Sequence, residues 1–392
     1  MSIVEAERAR AKPQLETAPL IVHVVRQFLP NRGGLEDVVA NLARQTVRRG
    51  YRVRVVTLDS LFTAPEDKLP LREDIDGIEV VRIPWFGTSR YPLAPQVFRH
   101  LADADLVHVH AIDFFFDALA WGRLLHGKPM IVTTHGGFFH TRKYATIKKI
   151  WFQTLTRASA MAYRRVVCCS ASDLKQFSEI VPDSLLIENG ADIGKFADTA
   201  SRRAKRRIVT IGRFSVNKRI DHLLDAMAML KTRDPEWHLD IVGAESDLSR
   251  ADVEGAIESR HLSGRVTLHV SPENDTIRRI IAEASIFASA SEYEGFGLVA
   301  LEAMSAGLLP VLNANDAFAT LAARHPVIML ADFTDPESAA TAIEAAHQAL
   351  SRQPDAVRAG LLDAARGYSW DIVAGRYIDL YRSLDVVAAR SI

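Results

Sequence analysis

Glu294 and Glu302 flank the loop Gly295-Phe296-Gly297, and the residues after it, Leu298-Val299-Ala300-Leu301, read as the start of a helix. Glycines let the backbone turn sharply and approach a ligand. The N–H groups of Phe296, Gly297, Leu298 and Val299 at such a helix mouth lack intrahelical partners. With the helix dipole behind them they form a cradle for phosphate. Glu302 lies four residues beyond Leu298, one turn inside the helix, where a carboxylate suits two vicinal hydroxyls of a ribose. Glu294 precedes the cradle, within reach of a sugar carried by the phosphates. The plainer alternative makes Glu302 a surface residue and Glu294 a helix cap, and leaves the glycine loop between the two acids unexplained.

A second loop carries matching charge. Gly212-Arg213-Phe214-Ser215-Val216-Asn217-Lys218 follows a strand-like run and precedes a helical one. Arg213 and Lys218 could neutralise a diphosphate and stabilise it as it leaves; the alternative is that both cover helix ends. Earlier, Gly33-Gly34 stands at another helix mouth, where anion binding and simple turn geometry are equally open readings. It is not the G-x-G-x-x-G fingerprint of nicotinamide enzymes. His108 and His110 alternate on one strand and so face one side. His135 ends the next, before Gly136-Gly137-Phe138-Phe139-His140. No carboxylate has metal-ligand spacing with these histidines, so His135 suits hydrogen bonding to sugar hydroxyls and His108 a structural role. Asp74-Ile75-Asp76 and Asp103-Ala104-Asp105 imitate a metal-binding D-x-D, but neither falls at a strand's carboxyl end, which favours a surface reading.

The elements that must position these residues alternate in type. Apolar runs at 20–25, 51–57, 78–83, 106–110, 130–134 and 165–170 read as strands, with an amphipathic helix over 35–49. The pattern restarts with strands at 208–211, 237–242, 266–270, 286–288 and 309–312. Helices are expected at 219–231, 275–283, 298–306 and 336–351. Such alternation means parallel sheets with helical crossovers. The expected fold is therefore α/β: two doubly wound, Rossmann-like domains with ligands outside the carboxyl ends of their strands, in a central cleft. The expected divisions are a tail at 1–18, a first domain at 19–192, a basic linker at 193–207 and a second domain at 208–369. A last helix within 370–392 has no strand after it and is expected to cross back to the first domain.

Composition narrows the class. The 392 residues carry 48 Lys and Arg against 48 Asp and Glu, a formal net charge of zero, so no overall field favours nucleic acid. The two cysteines, Cys168 and Cys169, are adjacent, which suits neither a bridge nor a metal motif. The first twenty residues lack the apolar core of a signal peptide, and no window approaches a membrane span, so a cytoplasmic protein is expected. Locally, no acid occurs between Asp117 and Asp173, while Arg123, Lys128, Arg142, Lys143, Lys148, Lys149, Arg157, Arg164 and Arg165 do, interleaved with Trp151, Phe152 and Leu155. This stretch suits peripheral contact with an anionic membrane surface; an ordinary amphipathic helix with a basic face is the alternative.

Glu294 to Glu302 resembles the E-x7-E motif of family 4 of the retaining glycosyltransferases, which have the GT-B fold. Gly33-Gly34, His135, Arg213, Lys218 and the run from Glu302 to Pro310 fall in the family's order, and the likeness extends to Ser369-Trp370. The resemblance implies a nucleotide-sugar donor held mainly by the second domain, without an essential metal or other cofactor. It implies that Arg213 and Lys218 contact the diphosphate, Glu302 the ribose, and Glu294 the transferred sugar, which His135 reaches from the first domain. It also implies transfer with retention along a front-face, oxocarbenium-like path. Arg219 departs from the pattern, where many members have glycine after the lysine. The segments Val25-Arg26-Gln27-Phe28, Ser89-Arg90-Tyr91-Pro92-Leu93, Ile112 to Asp117 and Thr134 to Thr141 are similar to the mannosyltransferases of xanthan and acetan assembly. That likeness implies α-1,3 transfer from GDP-mannose to cellobiose linked through diphosphate to a polyprenol. Other readings are a family 4 enzyme acting on phosphatidylinositol or another acceptor, a nucleotide-sugar 2-epimerase of the same fold, and an exported sugar-binding protein, which the missing signal peptide disfavours.

Overall fold

Leu20–Val24 (β1) is buried at every position, which is how a strand covered by helices on both faces reads. It heads an eight-stranded sheet in a computed structural model of the chain that describes residues 18–89, 91–136 and 149–384. The expected tail up to residue 17 lies outside the described residues, as do Phe138, Phe139, His140, Thr141, Arg142, Lys143, Lys148 and the last eight positions. The described chain divides into two units, one of residues 18–190 with 370–384, the other of residues 191–369.

In the first unit β1 is followed by α1 (Gly34–Arg48), β2 (Arg52–Leu58), β3 (Arg72–Ile75), β4 (Ile78–Ile83), β5 (Leu106–His110), α2 (Phe114–Trp121), β6 (Met130–Thr133), β7 (Arg165–Cys168), α3 (Ala171–Phe177) and β8 (Leu185–Leu186). The sheet runs β8-β7-β6-β5-β1-β2-β4-β3, with only the edge strand β3 antiparallel. Its order reverses between β1 and β5, which pair in parallel with His23 opposite His108. Helix α1 begins acidic, with Glu36 and Asp37, and ends basic, with Arg48, matching its dipole. Two short antiparallel hairpins, at residues 60–68 and 86–93, add to this unit without any clear apolar alternation in sequence.

The second unit holds β9 (Arg207–Ile211), α4 (Ile220–Arg233), β10 (His238–Gly243), β11 (Val266–Val270), β12 (Ile286–Ser289), α5 (Leu298–Ala306), β13 (Leu309–Asn313) and β14 (Met329–Ala331) among further helices. Its sheet runs β11-β10-β9-β12-β13-β14, all parallel, and reverses between β9 and β12. Ligands in such sheets sit outside the strand ends at that reversal.

The segment expected as a linker, 193–207, is instead part of the second unit. Phe196 and Ala200 are buried in its core, and the last of these residues, Arg207, already belongs to β9. The buried Arg358 guanidinium donates to Asp198 Oδ1 at 2.7 Å and to the Ala200 carbonyl at 3.1 Å, which fixes the path. Basic residues drew attention to solvent exposure; the interspersed apolar residues decided the packing. The final helix, α6 (Trp370–Ser383), belongs to the first unit. Its Trp370, Val373, Tyr377 and Tyr381 pack with Ile21, Leu106, Ile131 and Val167 of four adjacent strands.

Candidate functional site

In the second unit the two loops singled out in sequence leave the two strands that flank the sheet reversal. The loop after β9 carries Arg213 and Lys218; the loop after β12 carries Glu294 and the glycines. They are tied together. The Asn217 amide donates to the Tyr293 carbonyl at 2.8 Å, and its oxygen accepts from the Tyr293 N–H at 3.0 Å. The Asn217 carbonyl accepts from the Glu292 N–H at 2.9 Å. Beside this clamp, Lys218 Nζ lies 2.6 Å from Glu294 Oε1, with both side chains largely sheltered. Arg213 is exposed and its guanidinium has no partner among the described residues. Among the described residues, Lys218 is thus paired with its acid while Arg213, in the same loop, is free.

Glycine is required at two points here. Gly297 caps α5 with φ +83°, and a Cβ would fall 2.9 Å from the Phe318 ring. Gly243, at the end of β10, has the Gly212 carbonyl oxygen 1.8 Å from where its Cβ would stand, so the start of the β9 loop and the end of β10 touch backbone to backbone. The Gly297 carbonyl accepts from the Ala300 N–H at 2.9 Å, which leaves the N–H groups of Leu298 and Val299 as the opening turn of α5. Phe296 is half-buried and packs against the core of this unit. Glu302, half-buried one turn inside α5, stands on the same helix as this opening turn.

Arg219, the departure from the resemblance, adopts φ +46° as the residue before α4. That is the left-handed region in which glycine is unstrained. Here the strained arginine is held by ion pairs to Asp221 at 3.0 Å and Glu292 at 3.6 Å, and by His222.

In the first unit Gly33 precedes α1 in extended conformation, so its backbone does not demand glycine. A Cβ there would instead fall 2.6 Å from Glu36 Oε2, and nothing lies within 4 Å of one on Gly34. The helix mouth is therefore open on the Gly34 side. His135 follows β6 at φ +56°, held in place by a residue the sequence reading passed over. Asp173 Oδ2 accepts from Thr134 Oγ1 at 2.6 Å and from the Gly136 N–H at 3.0 Å, gripping both neighbours of His135. Its only sequence signal is a local one: Ser170 caps α3 by accepting from the Asp173 N–H.

The histidines form a chain. His23 Nδ1 lies 2.8 Å from His110 Nε2, and His110 Nδ1 lies 2.9 Å from His135 Nε2. His108 stands beside them, its nitrogens taken by Tyr381 Oη and Thr133 Oγ1, each at 2.8 Å. Burial lowers the pKa of His23 and of His135 to about 3, and lowers those of His108 and His110 well below the usual value. The rings are neutral at neutral pH, and each neutral ring has one N–H. His23 Nε2 is buried without a partner, and orphaned buried donors are rarer than orphaned acceptors. This assigns the N–H to His23 Nδ1, then to His110 Nδ1, and leaves His135 presenting an Nδ1–H donor. His23, His108 and His110 are the group of described residues close enough to share a metal, with nitrogens within 4.8 Å of one another. Both nitrogens of His108 and of His110 are already hydrogen-bonded, so the cluster is a hydrogen-bonded core rather than a coordination sphere.

The D-x-D look-alikes are also occupied. Asp76 pairs with Arg44 at 2.7 Å and Asp103 with Arg54 at 2.6 Å. Asp74 accepts from the Gly77 N–H and Asp105 from that of Leu20. Cys168 and Cys169 are buried free thiols, and burial pushes the pKa of Cys168 up to about 12.

Comparison with known proteins adds independent findings. Residues 32–195 match the family described as Glycosyltransferase Family 4, and residues 194–356 match Glycosyl transferases group 1. The chain is 43% identical over 366 residues to a GDP-mannose:cellobiosyl-diphosphopolyprenol alpha-mannosyltransferase of Xanthomonas campestris, covering 93% of this chain and 96% of that one. A protein of the same description from Komagataeibacter xylinus is 42% identical, with 93% of each chain covered. Among solved structures, the sucrose-phosphate synthase of Thermosynechococcus elongatus aligns with a TM-score of 0.68 over 93% of this chain and 99% of its own. At 21% identity that likeness speaks to the fold alone.

Proposed function

The chain belongs to the family 4 glycosyltransferases, enzymes of GT-B fold that use nucleotide-sugar donors, and from that premise we propose that it transfers α-mannose from GDP-mannose to a cellobiosyl-diphosphopolyprenol. The observation that carries donor and acceptor is the 43% identity, spread over 93% of the chain, to an enzyme described by that reaction. An α-1,3 linkage in exopolysaccharide assembly is the corresponding product.

The geometry supports a division of labour. The N–H groups of Leu298 and Val299, with Phe296 and Gly297 before them, cradle the diphosphate at the start of α5. Arg213, unpaired, meets the same phosphates, and Glu302 binds the ribose. Gly33 and Gly34 leave room at the mouth of α1 for the backbone to approach the donor. Glu294 faces the mannose, and its contact with Lys218 holds the cation beside the bond that breaks. As the C1–O bond opens, the electron pair leaves with the diphosphate, and Lys218 and Arg213 stabilise that charge. The acceptor hydroxyl attacks from the same face and its proton passes to the departing phosphate oxygen, which gives retention. His135, neutral and presenting Nδ1–H, donates to a mannose hydroxyl. Positive side chains and a helix start supply the charge a metal would, so the reaction proceeds without one; EDTA should leave turnover unchanged.

No helix of the described residues is long and apolar enough to cross a membrane. Peripheral attachment to the cytoplasmic face of the inner membrane, through the basic stretch, brings the enzyme to its lipid acceptor. Binding to anionic liposomes should fall steeply as salt rises. The reaction itself is tested with a panel of GDP-mannose, UDP-glucose and UDP-GlcNAc against a synthetic cellobiosyl diphosphate lipid. Mannose alone should transfer. Release of an epimerised nucleotide sugar without acceptor, or preference for another donor, would overturn the proposal.

A further inference from the structure

His23, His108, His110 and His135 stand together in the first unit, and they divide into two kinds. His108 is satisfied within the core, with Tyr381 Oη and Thr133 Oγ1 on its two nitrogens. That is a structural histidine. His23 and His110 are equally sealed from solvent, yet they do not close on themselves. His23 Nε2 has no partner among the described residues, and the hydrogen bonds lead outward, from His23 through His110 to His135. A core that needed only packing would carry carbon at these positions. Burying a polar ring costs free energy unless its polar atoms are paired, and His23 leaves one unpaired.

The chain of rings ends at an open atom. His135 is half-buried, its Nδ1 has no partner among the described residues, and that atom is not sealed away as His23 Nε2 is. Asp173 grips Thr134 and Gly136 on either side of its φ +56° backbone, so Nε2 stays aimed at His110. Two facing ring nitrogens share one hydrogen, and burial keeps these rings neutral with one N–H each. The direction of the chain is therefore decided at its far end. With the hydrogen on His23 Nδ1, only a lone pair is orphaned at His23 Nε2. In the reverse direction that atom would be a buried N–H without an acceptor, the rarer orphan.

We propose that His23 and His110 are positioning residues for the transfer reaction: they touch no substrate, but through two hydrogen bonds they fix which nitrogen of His135 carries hydrogen. His135 is thereby held as a donor that a sugar hydroxyl must meet with its oxygen, which leaves the hydroxyl's own hydrogen for a different partner. In a neutral imidazole the hydrogen sits on whichever nitrogen its surroundings select. Selecting it before the donor arrives preorganises the contact. The inference rests on the reading of His135 as a mannose contact and adds the two buried residues that set its polarity.

Two measurements test it. The first needs no substrate. Two-bond proton–nitrogen correlation on isotopically labelled histidine distinguishes the two tautomers, and His135 is assigned by the signals that His135→Gln removes. Wild-type His135 should carry its hydrogen on Nδ1. His110→Asn, whose amide N–H can stand where His110 Nδ1 stands, should keep that tautomer, and His110→Leu should release it toward Nε2–H. The second measures kcat/KM for mannosyl transfer. His110→Leu should lower it about tenfold, the scale of one lost hydrogen bond, and His110→Asn should recover most of the loss. With His135→Ala already in place, the further change His110→Leu should cost less than about twofold, because nothing is left for it to orient. A purely structural role would cost the same in both backgrounds. An Nε2–H tautomer in the wild type would overturn the proposal by itself, whether or not any variant folds. So would a loss in His110→Leu that persists undiminished without His135, or equal activity of His110→Leu and His110→Asn. Failure of the wild type to transfer mannose would instead overturn the reaction, and the spectrum would still decide the tautomer.

Discussion

Lys218 and Glu294 are a pair before any donor arrives, at 2.6 Å, and this changes what their substitution should show. If each acted alone on the donor, losses would add. Because each holds the other, Lys218→Ala and Glu294→Ala should each lower kcat/KM by about 10²–10³, the scale of one lost charge-stabilising donor. The double variant should fall short of their sum by at least about 1 kcal/mol. Steady-state kinetics on the four proteins checks this; strict additivity, or wild-type turnover in Glu294→Ala, would remove the shared role. The histidine chain makes a second prediction at this scale. His23 titrates at about 3 in the folded protein because burial penalises the charged ring, against 6.5 for an ordinary histidine. Between those values the unfolded chain takes up a proton that the folded one refuses. The stability is therefore complete above pH 6.5 and is lost as pH falls toward 3. At pH 5 His23 alone accounts for about 2 kcal/mol, and His108 and His110 shift in the same direction. Urea midpoints at pH 7.5 and pH 5 should show at least that loss, and equal midpoints would contradict the neutral buried chain.

At the scale of elements, Arg219 shows how a turn can be read and its cost missed. Glycine fits φ +46° without strain, while any other residue there pays about 1–2 kcal/mol. Its exposed ion pairs return little. Arg219→Gly should therefore be more stable than Arg219→Ala by about 1 kcal/mol, since alanine keeps the strain and loses the pairs. Thermal unfolding of the two variants decides it, and a reversed order would mean that the positive φ carries no strain for glycine to relieve. The same position explains what was legible in the sequence. Buried parallel strands announce themselves as continuous apolar runs, so 20–25 and 106–110 are readable, and the glycine loop 295–297 marks its own helix start. Hairpin 86–93 has no apolar alternation, and the exposed 60–68 hairpin little more, so neither stands out. The roles of Asn217 and Asp173 depend on partners 76 and 37–39 residues away, which no local pattern encodes. Segment 193–207 misled because its arginines outnumber Phe196 and Ala200, while two buried side chains suffice to anchor it.

On the scale of the molecule, the chain passes between the units twice, at residues 190–191 and 369–370. Within the second unit Ala191 bridges Ser369, its N–H donating to the Tyr368 carbonyl at 2.8 Å. Within the first, Gly190 meets Trp370 so closely that a Cβ would fall 2.5 Å from the indole. The two passages are thereby held side by side, and α6 completes the first unit from the far end of the sequence. Its tyrosines cover the face of the sheet that carries His23, His108 and His110, and Tyr381 supplies the partner of His108 Nδ1. A chain ending at Ser369 would open that face to water and leave the His108 ring unpaired on one side. The second unit, whose core among the described residues contains none beyond Tyr368, would keep its packing. The truncated chain should therefore lose protease resistance in residues 18–190 while a fragment near 191–369 persists and still binds GDP. Limited proteolysis with mass analysis and a GDP titration check both halves of the statement. Uniform resistance would show that α6 is dispensable, and loss of both fragments would show that the second unit depends on the first.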